Sequence, residues 1–319
     1  MSLTRRLVLG SLPATFAVPA RAGVAWRMAT EYPATAIPGE GVSFFADAAA
    51  RLSSGAVSVQ PGFDGVRSAA AIAAVRDGQL EAADAFSGGL AGEDPVFGLS
   101  ALPFLTASAE DTARLLVAAR PAYAAALATR GLTLLYATPW PATGIWSRAP
   151  LTAPEDLRGL RIRTYDAAGT TVMRAAGAVP QQISFADAVP RLRAGELDAV
   201  LSSGDGGAGA RLWEVLPHFT VLNYASPLSL AFCRTASLEQ LTEPERRAIE
   251  AAARETEARQ FSAMATRGAE NEARMRTNGV AINTVPALRI ALAPLAGPVI
   301  LAWARQVGPE GERILATYR

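Results

Sequence analysis

The segment Thr242-Glu243-Pro244-Glu245 begins the element that most limits what this chain can become. A threonine followed three residues later by a glutamate, with proline in the first turn, is a helix-start signature. A polar, helix-compatible pattern then continues to about Asn278, where Gly279 supplies a stop. About 35 residues at about 1.5 Å each make a rod of roughly 50 Å, longer than one small domain is wide. Such a helix is expected to lie across two packed units. The chain, at 319 residues, is long enough for both.

Outside that helix, strand-like and helix-like segments alternate, which predicts α/β layers. Strands are expected near 24–29, 57–60, 80–85, 132–137, 159–164, 197–203 and 226–233. Helices are expected near 42–52, 69–75, 111–129, 167–176 and 185–194. The stretch from Thr138 to Pro150 has three prolines and interrupts the rhythm, so it is expected to carry the chain into a second lobe. This divides the chain into 23–140 as lobe I, 141–225 as lobe II, and 226–272 as a return to lobe I with the long helix. Residues 273–319 are expected to contribute to lobe II. Two lobes, crossed more than once and braced by one helix, imply a hinge, a cleft and capture by closure.

The N-terminus has Arg5 and Arg6, an apolar run from Leu7 to Val18, and Ala20-Arg21-Ala22. These are the parts of a signal peptide over residues 1–22, with cleavage before Gly23 and a periplasmic mature protein. Thr4-Arg5-Arg6-Leu7-Val8-Leu9 also fits a twin-arginine signal loosely. The segment takes three arginines with it, leaving 27 positive against 29 negative charges from the 30 and 29 of the whole chain. That balance points away from nucleic acid as a partner.

Every basic residue is an arginine, so Schiff-base chemistry and a P-loop, which need lysine, are excluded. With one cysteine (Cys233) and one histidine (His218), zinc and haem sites of the usual kind have no ligand set. Cys233 lies in an apolar strand-like run and is read as a small buried hydrophobe.

Two motifs invite enzymatic readings. Gly204-Asp205-Gly206-Gly207-Ala208-Gly209 matches G-x-G-x-x-G after a strand. The acidic residue that should follow about 20 residues later is missing between Glu214 and Glu239, so a dinucleotide is not expected. Ser87 follows a strand but lacks a G-x-S-x-G elbow. Ser87 and Gly88 are instead read as a cleft-facing loop of the first lobe, as is Tyr32 from its place after the first strand.

The run Leu160-Arg161-Ile162-Arg163-Thr164 alternates, with Arg161 nearer solvent and Arg163 at the strand exit. Open α/β sheets place ligands at such exits. Arg163 therefore meets either a ligand carboxylate or an internal acid such as Asp166 or Asp187.

Ala153-Pro154-Glu155-Asp156-Leu157-Arg158-Gly159-Leu160-Arg161-Ile162-Arg163 resembles the signature of solute-binding proteins of tripartite ATP-independent periplasmic (TRAP) transporters. The resemblance continues through Gly177-Ala178-Val179-Pro180, Phe185-Ala186-Asp187-Ala188 and Arg193-Ala194-Gly195-Glu196-Leu197-Asp198-Ala199, and includes Leu102-Pro103-Phe104. It implies an α/β, two-lobed periplasmic-binding-protein-like cleft fold, no cofactor, and delivery of an organic carboxylate to TRAP membrane subunits by a monomer. It also assigns Arg163 to the ligand carboxylate, which a planar guanidinium fork suits. Sialic-acid-type members carry a second arginine about twenty residues earlier, a position that falls on Thr143 here. Trp140 would then wall an apolar ligand body or pack between the lobes. Phe185 shapes the pocket, and Ser203 (or its neighbour Ser202) offers a hydrogen bond. A receptor of an ATP-driven importer and a periplasmic enzyme acting on an organic acid are the alternatives.

Overall fold

The computed structural model describes residues 23–318, so the expected signal peptide lies outside the described residues. Eleven strands, β1 to β11 in chain order, form two sheets among these residues. β1 (Val24–Ala29), β2 (Val57–Gly62), β3 (Ala82–Phe86), β4 (Leu132–Pro139) and β10 (Leu228–Arg234) make the first, ordered β2-β1-β3-β10-β4. β1 runs parallel to β2 and β3, whereas β10 is antiparallel to both β3 and β4.

The second sheet contains β5 (Thr143–Ser147), β6 (Arg161–Thr164), β7 (Val179–Gln182), β8 (Ala199–Ser203), β9 (His218–Val221) and β11 (Ala281–Thr284). Its order is β11-β9-β5-β8-β6-β7. The chain passes between sheets three times: after β4, after β9, and through the long helix Glu243–Thr277 into β11. The result is the expected two-lobed α/β architecture.

The long helix starts where its sequence says. The Glu245 carboxylate accepts a hydrogen bond from the Thr242 backbone N–H at 2.7 Å, satisfying a group the helix itself leaves unpaired. Its first half buries Ile249, Ala252 and Ala253 with the apolar residues of the first sheet. Near its end, Met275 joins a cluster with Trp146, Val200 and Phe219 of the second. One rod thus braces both lobes.

A buried carboxylate ties the same helix to the two lobes. Asp205, 1% exposed, accepts from the Ile37 backbone N–H at 2.8 Å, from Arg267 at 2.5 Å and from Asn271 at 3.1 Å. Ile37 opens the helix Ile37–Leu52, whose own N-cap residue, Ala36, has no side chain able to cap it. The cap is supplied instead from the opposite lobe.

The structure adds detail to two expectations. The stretch 138–150 passes between the sheets within residues 140–142 alone, and β5 already lies inside the second sheet. All five β5 residues are buried, so it lacks the alternation that marks a half-exposed strand. The C-terminal segment is also shared. β11, Leu288 and Leu292 belong with the second lobe, while Trp303, Ala304, Ile314 and Leu315 sit in the first-lobe core.

Candidate functional site

Arg163 is the third residue of β6, where parallel pairing with β7 and β8 fixes its backbone. Arg161 and Arg163 share one face of the strand and differ by their place along it. Arg161, at the exposed start, pairs with the half-buried Asp198 at 2.6 Å, and Arg163 is buried, only 4% exposed. Its Nε–H donates to the Ile183 carbonyl at 2.9 Å and its Nη1 to the Leu201 carbonyl at 3.2 Å. Those two bonds lock the plane of the guanidinium against the protein.

No carboxylate of the described residues lies within 4.0 Å of this cation. The two internal partners suggested by sequence are engaged elsewhere. Asp166 caps the helix Ala167–Ala175 through the Gly169 N–H at 2.7 Å. Asp187 pairs with Arg67 at 3.0 Å and with the Ser184 hydroxyl at 2.7 Å. Burial lowers the Arg163 pKa from its ordinary value, because a charge removed from water is disfavoured, and the neighbouring Tyr32, Glu31, Tyr165 and Asp166 offset this only in part. Burial likewise pushes the Asp166 carboxyl up to about 7.

Aromatic rings surround the guanidinium. It lies 5.5 Å from the Phe185 ring centre and 5.8 Å from that of Tyr165, within cation–π range. Tyr32 meets Trp140 edge-on at 4.7 Å and Phe185 at 6.4 Å, and Phe86 meets Tyr165 edge-on at 5.1 Å. Tyr32 and Phe86 come from the first lobe, Tyr165 and Phe185 from the second, and Trp140 from the crossing between them. The indole N–H of Trp140 donates to the Ser229 hydroxyl at 3.0 Å, which fixes the ring as a wall.

Two adjoining cavities share Arg163, Tyr32, Phe86 and Tyr165. The inner one, about 360 Å³ of unfilled space, is completed by Trp140, Thr143, Phe185, Ser202, Ser203, Gly206 and Pro227. The outer one, about 560 Å³, brings in Glu31, Arg67, Ser68, Gln182 and Ser184 among others. Both are partly open to solvent, which these volumes include.

The structure therefore gathers Arg163, Trp140, Tyr32, Phe185 and Ser203 around one space. Ser202 and Ser203 both line it, and the Ser203 hydroxyl already accepts from the Gly206 N–H at 3.1 Å. Ser87 and Gly88 are not brought there. Ser87 is fully buried and shares a hydrogen bond with Ser100 at 2.8 Å. Gly88 lies against the Phe86 ring, which an added Cβ would approach to 2.5 Å. The tight turn Ser87–Leu90 rotates both residues inward, leaving Phe86 to face the cleft.

Glu31, Phe86, Tyr165 and Pro227 carry no local motif and escaped the sequence reading. Thr143 is reached by spacing alone, and it lines the inner cavity from β5, with β8 lying between it and the strand of Arg163. A neutral threonine at that position leaves Arg163 as the cation of the inner cavity.

The glycine-rich match at 204–209 forms a six-residue helix rather than a phosphate loop. Its tightest constraint falls on Gly207, which is not one of the motif glycines. An added Cβ there would come within 2.1 Å of the Trp146 ring. Cys233 is buried in β10, with its thiol pushed up to about 12 by desolvation. Among the described residues no group of three His, Cys, Asp or Glu could hold a metal ion.

Residues 28–295 match the model of the bacterial extracellular solute-binding proteins, family 7. No curated protein matches the sequence. A Bordetella pertussis extracytoplasmic solute receptor binding pyroglutamic acid superposes with a TM-score of 0.90 at 25% identity, covering 93% of this chain and 100% of the other. A marine metagenome TRAP solute-binding protein specific for pyroglutamate has a TM-score of 0.88 at 28% identity, over 93% and 99% of the two chains. The sugar-acid-binding protein of Advenella mimigardefordensis, in complex with galactonate, has a TM-score of 0.87 at 19% identity, over 93% and 98%. At that identity the last comparison speaks to the fold alone.

Proposed function

This chain belongs to family 7 of the bacterial extracellular solute-binding proteins, and we propose that it captures a small, compact organic carboxylate and delivers it to TRAP membrane subunits. The observation that carries this is Arg163. A guanidinium held by two backbone carbonyls, ringed by aromatics and with no carboxylate of the described residues within 4.0 Å, is matched by an anion arriving from outside. The aromatic walls favour a flat or ring-shaped body over an extended polyol. Two solved relatives of 25% and 28% identity bind pyroglutamate, which has that shape.

On this reading the ligand is bound and released unchanged, which membership of a solute-binding family supports. Family membership favours this reading over a receptor for an ATP-driven importer. The export signal read in residues 1–22 supports a periplasmic setting.

A thermal-shift screen of organic acids tests the proposal. A ligand at about 100 times its dissociation constant adds about 2.7 kcal/mol of stability. Pyroglutamate or another ring carboxylate is expected to raise the melting temperature, and mass spectrometry should recover it unaltered. A screen of mono- and dicarboxylates and sugar acids in which none stabilises the protein would overturn the reading.

A further inference from the structure

Three charged side chains line the two cavities: Arg163, Arg67 and Glu31. Arg67 is already paired with Asp187 across the cleft mouth. Glu31 is different. It is 4% exposed, lies in the loop after β1, and lines the outer cavity together with Arg163 and Tyr165. Its Oε2 accepts one hydrogen bond, from the Ser68 backbone N–H at 2.5 Å. No hydrogen bond to its other carboxylate oxygen is formed within the described residues.

Resting on the carboxylate-capture reading, we infer that Glu31 is a specificity residue: it accepts a hydrogen bond from an N–H group of the ligand, selecting carboxylates that carry a nearby nitrogen donor. The site then offers one fixed cation and one fixed anion. An amino acid or a lactam acid presents the reverse pair, a carboxylate and an N–H. A dicarboxylate instead sets a second anion against Glu31. A plain sugar acid offers hydroxyls, which hydrogen-bond a carboxylate but carry neither positive charge nor an obligate donor.

A purely architectural role for Glu31 is the competing account. The Ser68 N–H belongs to the first turn of the helix Ser68–Arg76, whose own N-cap residue, Arg67, makes no side-chain cap. A carboxylate there stabilises the helix end whatever the ligand. Capping uses one oxygen, however, and capping alone gives no preference between ligands. The two roles therefore separate in a comparison of isosteres.

The experiment titrates the full mature chain with four probes by calorimetry: pyroglutamate, its ring-oxygen isostere 5-oxotetrahydrofuran-2-carboxylate, proline and galacturonate. The lactone keeps the shape and carboxylate of the lactam but has no N–H. A site built to accept that hydrogen leaves Glu31 unpaired with the lactone. Wild type should therefore bind the lactam about 10- to 100-fold more tightly than the lactone, the equivalent of about 1.4–2.8 kcal/mol. Proline distinguishes an ammonium from an amide as the preferred donor.

Glu31→Gln retains a carbonyl oxygen for Ser68 while turning an NH₂ toward the cavity. It should lower lactam affinity and leave lactone affinity equal or higher, collapsing the ratio towards one. Equal wild-type affinity for lactam and lactone, or tighter galacturonate than lactam, overturns the inference while leaving carboxylate capture intact. An unchanged ratio in Glu31→Gln also overturns it. The wild-type comparison needs no variant, so a poorly folded Glu31→Gln does not remove the test. If wild type binds none of the four probes, the N–H preference is overturned, and the wider screen of organic acids decides carboxylate capture separately.

Discussion

Replacing Arg163 by methionine should abolish ligand binding without destabilising the empty protein. Two opposed terms set the expectation for folding. The change removes a buried charge with no carboxylate within 4.0 Å, whose desolvation costs several kcal/mol. It also strips the Ile183 and Leu201 carbonyls of their donors, at about 1–3 kcal/mol each. These nearly cancel, so ligand-free Arg163→Met should melt within a few degrees of wild type, taking about 2–4 °C per kcal/mol. Binding has no such cancellation. The ligand carboxylate would enter a closed, aromatic-walled space with no countercharge, at about 3–5 kcal/mol. At about 1.4 kcal/mol per decade this is a loss of roughly a hundredfold to several-thousandfold in affinity. Arg163→Lys keeps the charge but not the planar fork, and should recover part of it. Calorimetric titration supplies the affinities, and melts without ligand supply the stabilities. The reasoning is refuted if Arg163→Met binds a carboxylate within tenfold of wild type. A ligand-free variant melting far below wild type would show that the two backbone bonds dominate instead.

Asp166, held near pKa 7 against an ordinary 3.8, contributes stability in full below about pH 4, and this is lost as pH rises to about 7. Its size is on the order of 4 kcal/mol, at about 1.4 kcal/mol per tenfold change in proton affinity, from 3.8 to about 7. Asp166→Asn keeps the helix cap and should be more stable than wild type at pH 8 but not at pH 4, as denaturant unfolding at both values would show. Gly207→Ala should cost several kcal/mol, because the Cβ would meet the Trp146 ring at 2.1 Å, whereas Gly209→Ala, with its nearest neighbour at 3.5 Å, should cost under about 1 kcal/mol. Equal sensitivity of the two in thermal melts would contradict the packing explanation for this glycine run. Arg67→Ala breaks an interlobe ion pair whose side chains are 40% and 51% exposed, so ligand affinity should fall by less than about fivefold, and less again at high salt.

The parts of this structure legible in the sequence are those whose signal is local. Thr242 and Glu245 announce the long helix because a capping box uses only neighbouring groups. Arg163 is legible because it stands two residues further along the same strand face than Arg161, at the exit into a loop, and the structure gives the two different surroundings, one buried and one paired with Asp198 at the surface. The site's other walls depend on chain crossings that no window of sequence contains. Phe86 and Tyr165 meet at 5.1 Å though they belong to different lobes. Ser87 follows a strand and so reads as cleft-facing, but the turn after β3 leaves Phe86, one residue earlier, lining the cavity instead. β5 was hidden for the opposite reason: buried on both faces, it lacks the polar residues that would reveal a period of two. Glu31 looks like any loop acid until the Ser68 N–H and the outer cavity are placed beside it.

The contacts between lobes fall into two classes, and their difference bears on how capture couples to closure. Around Asp205 every charge is answered: Arg267 joins it to Glu40 at 2.9 Å, and Ile37 and Asn271 complete its hydrogen bonds. That junction is self-sufficient and asks nothing of a ligand. The aromatic junction between Tyr32, Phe86, Tyr165 and Phe185 instead buries Arg163 with no carboxylate of the described residues within 4.0 Å. Closing an empty cleft therefore carries the desolvation of an unpaired cation, worth several kcal/mol, against the apolar area gained. A carboxylate removes that cost, and a ligand shifts a conformational balance only by what it contributes differently to the two states. A neutral analogue of the same shape fills the same walls but leaves the cost in place. In the proposed function, charge recognition and closure are one physical event at Arg163, with the aromatic rings setting shape and the Asp205 junction keeping the two lobes in register.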